Sequence, residues 1–145
     1  MDAPTPPRRR TLPIGDVSLI DLHDARLDQL ELLSGGVALV RLRHLPVQHK
    51  GDGTRAELWS YQATLRLEGV ESVAADGPLP DDGWIMGGTL DGADTGDLTP
   101  FYAAPVDVRE LVLAFASGTR VRLEATRLSI SLETAHERFA DWVKP

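Results

Sequence analysis

The sequence predicts an all-β protein, most simply a two-sheet antiparallel β-sandwich, with a partly open barrel as the alternative fold. Three segments carry this prediction, because apolar and polar residues alternate in each with the period of a half-buried strand. They cover residues 25–45, 56–68 and 106–132. Together with the turn residues between them, they predict about six to eight strands. The segment 134–143 has a different period and predicts a short C-terminal helix.

The segment 106–132 predicts one long hairpin. Opposed residues of an antiparallel pair share a face, so apolar side chains should meet apolar side chains. A three-residue loop at 117–119 places Phe115 opposite Val121. A two-residue turn would place Phe115 opposite Arg120, which opposes a large apolar group to a charge. The three-residue loop is therefore the preferred register.

The same hairpin predicts a change of buried face along its length. Near the turn the apolar residues occupy odd positions, and away from the turn they occupy even positions, in both strands. The change falls between Arg109 and Glu110 in one strand and between Thr126 and Arg127 in the other. A bulge would shift only one strand. The paired change therefore predicts one register throughout and a twisted ribbon whose two halves bury opposite faces.

Residues 25–33 and 37–45 predict a first hairpin across the loop Ser34-Gly35-Gly36. Glycine in the third position of such a loop suits the left-handed conformation that the loop requires. This arrangement pairs Leu32 with Ala38.

The remaining segments complete the fold prediction. Residues 14–24 are expected to form a lead-in loop or a short helical turn. Residues 84–86 predict a short strand, with a bend or bulge at the two glycines that follow. In 134–143, a capping-box pattern precedes apolar residues at helical spacing, which predicts a helix docked on the sheet.

Composition bounds the class of protein and its partners. The chain has 145 residues, and we expect a disordered tail rich in proline and arginine over 1–12 and a single β domain over 13–145. The tail carries a charge of +2, and subtracting it from the net charge of −7 leaves −9 for the domain. An acidic domain argues against nucleic acid and membrane as partners and permits another protein of basic character. The chain has no cysteine and no apolar run of transmembrane length, so we expect a cytoplasmic protein without disulfides. The oligomeric state stays open.

Asp21, His23 and Asp24 form the sharpest local cluster of polar residues. A His-Asp pair is found in metal-dependent phosphohydrolases, which makes a metal-dependent hydrolase one candidate function. Those enzymes hold the pair in a helical bundle with further ligands, and this sequence predicts no such bundle. The simpler interpretation is a loop in which Asp24 caps a turn and His23 packs or bonds locally.

Asp91, Asp94 and Asp97 suggest a second polar site. Three aspartates in one loop are compatible with calcium, but their spacing of three differs from the alternating ligands of an EF-hand loop. Because aspartate and glycine are ordinary turn residues, a solvated acidic turn is the simpler interpretation.

Aromatic residues suggest a third kind of site. Trp59 and Tyr61 share one face of the strand 56–68, and apolar residues continue that face, so we expect them in the core. Trp84 precedes a glycine pair and is the better candidate for a partly exposed anchor. A small-ligand or carbohydrate-binding β module is therefore an alternative function.

No catalytic, cofactor-binding or metal-ligating set emerges from the motifs. Gly-x-Ser-x-Gly, the P-loop pattern and Gly-x-Gly-x-x-Gly do not occur. His44 and His49 are five residues apart, which in a strand puts them on opposite faces and makes them a poor metal pair. The binding candidates that remain are Trp84, Asp91, Asp94, Asp97, Asp21, His23 and Asp24.

The stretch LHDARLDQLEL at 22–32, followed by a predicted hairpin, resembles small bacterial β-rich proteins of unknown function that open with a His-Asp-x-x-Leu segment. Some proteins of that type are immunity proteins of bacterial toxin systems. The resemblance implies a small, acidic, non-catalytic protein that caps a toxin's active site or blocks its assembly. We therefore expect a protein-binding domain that is not an enzyme, with immunity-type inhibition as its specific form.

Overall fold

The structure, a computed structural model, describes residues 17–50, 55–95, 97–102 and 104–143. The predicted tail at 1–12 lies outside these residues. The described chain forms eleven strands and one 3₁₀ turn, Thr99–Phe101. The strands are β1 (Val17–Ile20), β2 (Arg26–Leu33), β3 (Val37–Lys50), β4 (Arg55–Glu68), β5 (Ser72–Ala75), β6 (Ile85–Leu90), β7 (Ala93–Asp94), β8 (Val106–Asp107), β9 (Glu110–Phe115), β10 (Arg120–Glu124) and β11 (Arg127–Val143).

Two antiparallel sheets build the fold, as the alternation predicted. The larger sheet has the order β1-β3-β4-β11-β8, with β2 added on β3, and it curls into a half-barrel. The smaller sheet has the order β5-β10-β9-β6-β7. The fold therefore combines the predicted sandwich with the partly open barrel. We expected about six to eight strands, and the described residues contain more. The additional strands are short and extend the edges of both sheets.

The structure confirms both the loop and the strand register predicted for the first hairpin, which is formed by β2 and β3. Leu32 pairs with Ala38, and Leu33 pairs with Val37 across the loop. Gly36 has φ of 74°, the left-handed conformation expected at the third loop position. The preceding segment differs from its prediction at Val17–Ile20, which forms strand β1 on β3, whereas residues 21–24 form the expected loop with a turn. Residues 14–16 lie outside the described residues.

The loop of the long hairpin has the predicted length but a different position. Val121 pairs with Leu113 and not with Phe115, so the register predicted around a loop at 117–119 is wrong by two residues. The loop covers Ala116-Ser117-Gly118, because its glycine occupies the third position with φ of 94°. A shift of two residues keeps each side chain on its face, so the predicted core positions of this hairpin are buried as expected.

The paired change of face is confirmed. Asp107 lies opposite Arg127 in the larger sheet, and Glu110 lies opposite Glu124 in the smaller one. Backbone hydrogen bonds continue the ladder between these pairs. Both strands therefore cross together from one sheet to the other without a change of register.

The predicted C-terminal helix over 134–143 is wrong. The backbone there continues β11, which pairs with β4 as far as the pair of Val143 and Arg55. Three register irregularities interrupt this part of the ladder. A strand with an irregular ladder does not require a strict period of two in its sequence, so the lack of alternation in this segment does not exclude a strand. Pairing with the long strand β4 prevails over the local pattern.

One hydrophobic core fills the space between the sheets. Its largest fully buried side chains include Tyr61, Leu65, Leu113 and Leu128. Tyr61 is core as predicted, and Trp59 packs against the core while partly exposed. The described part of the chain contains no helix with the length and apolarity that crossing a bilayer requires.

Candidate functional site

A change of strand partner along β3 creates the candidate site. The first part of β3, up to His44, pairs with β2, and the part around Val47 pairs with β1. Between Leu42 and Leu45 its register with β4 is irregular. The loop that joins β1 to β2 lies at this change of partner. Since Leu45 and Val47 point into the core, their neighbours in the strand face outward beside this loop.

An open cleft lies on this outward side, with a volume of about 550 Å³. We call it the outer cleft. Its apolar lining comes from three strands: Leu19 in β1, Pro46 in β3 and Leu58 in β4. Its polar lining consists of Asp21, His23, Asp24, Arg26, His44 and Gln48. The cleft therefore contains the whole Asp21, His23 and Asp24 cluster selected from the sequence.

Local hydrogen bonds shape the loop between β1 and β2. Asp21 Oδ1 accepts a hydrogen bond from the backbone N–H of His23 at 2.9 Å. The His23 ring Nδ1 lies 3.3 Å from Asp24 Oδ2. Asp24 has φ of 69°, a left-handed conformation that aspartate tolerates better than most residues. The local interpretation of this cluster is supported, although Asp21 and not Asp24 caps the turn.

Trp84 joins the same site from a distant part of the sequence. Its indole Nε1 donates a hydrogen bond to Asp24 Oδ1 at 2.9 Å. The guanidinium carbon of Arg26 lies 4.7 Å from the centroid of the Trp84 ring, which is a cation–π distance. The structure therefore brings together Trp84 and Asp24, two candidates that sequence reasoning treated separately.

The carboxyl of Asp21 is the electrostatically unusual group of the cleft. Burial raises its pKa, the charges of Asp24 and Asp94 raise it further, and His23 acts in the opposite direction. Within the described residues, no lysine or arginine forms an ion pair with Asp21. Its ionised form is therefore less stable than that of an ordinary exposed aspartate.

The three aspartates of the second predicted site do not converge. Asp91 Oδ1 accepts hydrogen bonds from the backbone N–H groups of Arg109 and Glu110, at 2.7 and 2.9 Å. Asp97 Oδ1 accepts one from the N–H of Thr99 at 3.0 Å. Asp94 is exposed in β7. These are turn and strand-end contacts, and the residues that the structure describes contain no group of three or more acids and histidines placed to hold a metal.

The two histidines of β3 lie on opposite faces, as predicted. His44 lines the outer cleft, and its Nδ1 shares a hydrogen bond with Ser60 Oγ at 2.6 Å. His49 is 2% exposed, and its Nε2 shares a hydrogen bond with Tyr61 Oη at 3.0 Å. Its ring centroid lies 5.9 Å from that of Trp59. This aromatic group belongs to the core side of the sheet and does not line the cleft.

A second depression, of about 680 Å³, lies on the outer face of the smaller sheet. Val112 and Ala114 belong to its lining, and Arg122 stands beside them. Arg122 Nε lies 3.3 Å from Glu110 Oε2, so this arginine is compensated within the chain. The depression has small side chains and internally matched charges, and it is the weaker candidate.

Sequence reasoning missed the part of the outer cleft that β3 and β4 supply. Pro46, Gln48 and His44 alternate with buried residues along β3, and this alternation is the signal that marks them as outward-facing. These residues lie beside Leu58 and the loop at Asp21 only because of the way the strands pair. A local sequence pattern does not show which strands pair.

Comparison with known proteins gives no match: no family model, no curated protein and no solved structure is similar to this chain. The resemblance of residues 22–32 to immunity-type proteins therefore stays a prediction.

Proposed function

We propose that the chain is a non-catalytic protein-binding domain that receives a basic side chain of its partner in the outer cleft. The observation that carries the proposal is the carboxyl of Asp21. It lies partly buried in an open cleft, burial raises its pKa, and no lysine or arginine of the described residues pairs with it. A group of this kind gains stability when a partner brings a cation to it.

The lining of the cleft fits an amphipathic basic side chain. Lysine and arginine carry a long apolar stem below a charged head, and they bury the stem where apolar surface is available. Leu19, Pro46 and Leu58 supply that surface. Asp21 and Asp24 supply the charge at the cleft's loop side. The acidic net charge of the chain, −7, adds long-range attraction for a basic partner.

The same geometry gives less support to a carbohydrate-binding module. Sugar-binding sites generally present an aromatic face to the ring of the sugar. Tyr61 is buried, Trp59 packs against the core, and the indole of Trp84 is bonded to Asp24. None of the three aromatics lines the outer cleft.

The specific form of the proposal is immunity-type inhibition, in which the partner is a bacterial toxin. The resemblance of residues 22–32 suggests this form, and the acidic character of the chain suits a basic toxin. The expected setting is the cytoplasm of a bacterium, where the inhibitor meets a toxin that has entered the cell or was made there.

The test is co-expression of the full chain with the product of the adjacent gene, in a bacterial host. We expect the two products to purify together and the chain to prevent growth arrest by its partner. The double variant Asp21→Asn with Asp24→Asn should weaken the complex by about tenfold or more, since two charges are lost. Asparagine keeps the oxygens that accept from His23 and Trp84, so the loop is preserved.

The matched control is Asp107→Asn, which removes an exposed carboxylate elsewhere. Asp107 Oδ1 lies 3.6 Å from Arg127 Nε in an exposed ion pair, which contributes little to stability. Affinity measured by calorimetry should be unchanged in this control. An adjacent gene product that does not bind, or a complex equally tight in the double variant, would contradict the proposal.

A further inference from the structure

The carboxylate oxygens of the outer cleft differ in what they already contact. Asp21 Oδ1 accepts a hydrogen bond from the backbone N–H of His23 at 2.9 Å. Asp24 Oδ1 accepts one from the indole of Trp84 at 2.9 Å, and Asp24 Oδ2 lies 3.3 Å from the His23 ring Nδ1. Among the residues that the structure describes, none donates a hydrogen bond to Asp21 Oδ2. A cation from a partner therefore meets the least competition at this one oxygen.

The aromatic surface next to the cleft is already covered. The guanidinium carbon of Arg26 lies 4.7 Å from the centroid of the Trp84 ring. Arginine gains affinity by stacking on an aromatic face, but Arg26 occupies this face of Trp84. In the described part of the chain Arg26 forms no ion pair with Asp21 or Asp24. Arg26 therefore takes away a stacking surface and leaves the carboxylate of Asp21 without a cation.

Lysine and arginine place different demands on a carboxylate. A guanidinium is a planar, rigid fork, and it binds a carboxylate best through both oxygens at once. At Asp21 the fork would compete with the N–H of His23 for Oδ1, and at Asp24 it would compete with the indole of Trp84. An ammonium is a compact charge with three rotatable donors, so one acceptor oxygen is enough to hold it.

We infer that the outer cleft selects lysine over arginine. This inference rests on the proposed function and deepens it, because it names the basic side chain that the cleft receives. The lysine stem packs on Leu19, Pro46 and Leu58, and the ammonium donates to Asp21 Oδ2. The cleft is open, so the remaining two ammonium hydrogens keep their water.

Two capped amino acids test the selectivity directly. The probes are N-acetyl-lysine methylamide and N-acetyl-arginine methylamide, titrated into the full chain at low salt. NMR shifts of the backbone amides of residues 19–24 and 44–48 report binding. We expect the dissociation constant of the lysine probe to be lower by about fivefold or more, since the fork cannot use both oxygens. N-acetyl-norleucine methylamide has a similar stem without the charge, and it should give no saturable shifts.

One substitution tests the assigned oxygen. Asp21→Asn keeps an oxygen for the N–H of His23 and places an amide NH₂ group where Oδ2 lies, so a donor faces the ammonium. This variant should bind the lysine probe about tenfold more weakly. The matched control is Asp107→Asn, an exposed carboxylate outside the cleft, which should bind the lysine probe as the native chain does.

The outcomes separate this inference from the proposed function. Equal binding of the two charged probes, or tighter binding of the arginine probe, overturns the selectivity and leaves a cleft that receives either basic side chain. Lysine binding that is unchanged in Asp21→Asn, or absent in the native chain, also overturns the inference. The proposed function fails separately, when the adjacent gene product does not purify with the chain.

Discussion

Asp24 accepts a hydrogen bond from the indole Nε1 of Trp84 at 2.9 Å, although 60 positions separate the two residues. The carbonyl of Trp84 in turn accepts a hydrogen bond from the N–H of Ala116 at 2.9 Å. Trp84 therefore connects the loop of the outer cleft to the turn of the long hairpin. The cleft is held in place by contacts of its loop with both sheets, and not by the loop's own bonds alone.

Substitution of Asp24 should separate a side-chain effect from a backbone effect. Asp24→Ala loses the acceptor for Trp84 and places alanine at φ of 69°, so we expect a loss of about 2 kcal/mol in the free energy of unfolding. Asp24→Gly loses only the acceptor, since glycine adopts this φ freely, and should lose about 1 kcal/mol. Asp24→Asn should be close to native. Urea unfolding of the three variants measures these differences. Equal losses for alanine and glycine would contradict the expected cost of the left-handed backbone conformation.

The raised pKa of Asp21 predicts a definite dependence of stability on pH. Because the folded state holds this proton more tightly than the unfolded state, the group's favourable contribution is present below its unfolded pKa, near 3.8, and is lost as pH rises through the higher folded value. Asp21→Asn removes the ionisation and keeps an acceptor for the N–H of His23. We compare the free energy of unfolding of the variant with that of the native chain. The difference should favour the variant more at pH 7 than at pH 3. Urea midpoints at both values test this, and a relative gain at pH 3 would contradict the sign.

Asp91 should be important for the crossing of the long hairpin. Its Oδ1 accepts from two successive backbone N–H groups, those of Arg109 and Glu110, where β9 begins. Asp91→Ala leaves both donors to solvent and places alanine at φ of 53°, so we expect a loss of about 1–3 kcal/mol. Asp91→Asn keeps the oxygen and tolerates this φ, and it should lose clearly less. Chemical denaturation compares the pair.

Gly88 should not tolerate a side chain. A Cβ at this position would lie inside contact distance of the Val112 carbonyl oxygen, which belongs to the neighbouring strand of the ladder. Gly88→Ala therefore forces β6 away from β9, and we expect a loss of about 2 kcal/mol or more. Gly77→Ala is the matched control, because its Cβ would meet side-chain atoms of Thr119 and no backbone, the nearest being the hydroxyl at 3.1 Å. Thermal unfolding of both variants should show a clear drop for the first alone.

The two hairpins show what local patterns predict well. In the first hairpin, glycine in the third loop position and the pairing of Leu32 with Ala38 were both predicted. In the long hairpin, the same requirement for a third-position glycine selects the loop at 116–118 over the loop at 117–119. Side-chain pairing alone did not distinguish them, because registers two residues apart keep the same faces opposed.

The C-terminal strand and the cleft show what local patterns miss. In 134–143 the apolar spacing resembles a helix, but the backbone pairs with β4 in an irregular ladder. The polar cluster at Asp21 was found from the sequence, whereas Leu58 in β4 and Trp84, just before β6, come from positions far along the chain. Long-range pairing decides both cases, and it becomes visible only when all strands are placed.

The long hairpin has a thermodynamic consequence for the whole domain. Its two strands run through both sheets in one continuous ladder, so neither sheet has a boundary at which it can separate. Opening one sheet would break the hydrogen bonds that align the other. The two sheets should therefore unfold in a single cooperative transition, with the most protected amides of β4 and β9 exchanging at the same free energy.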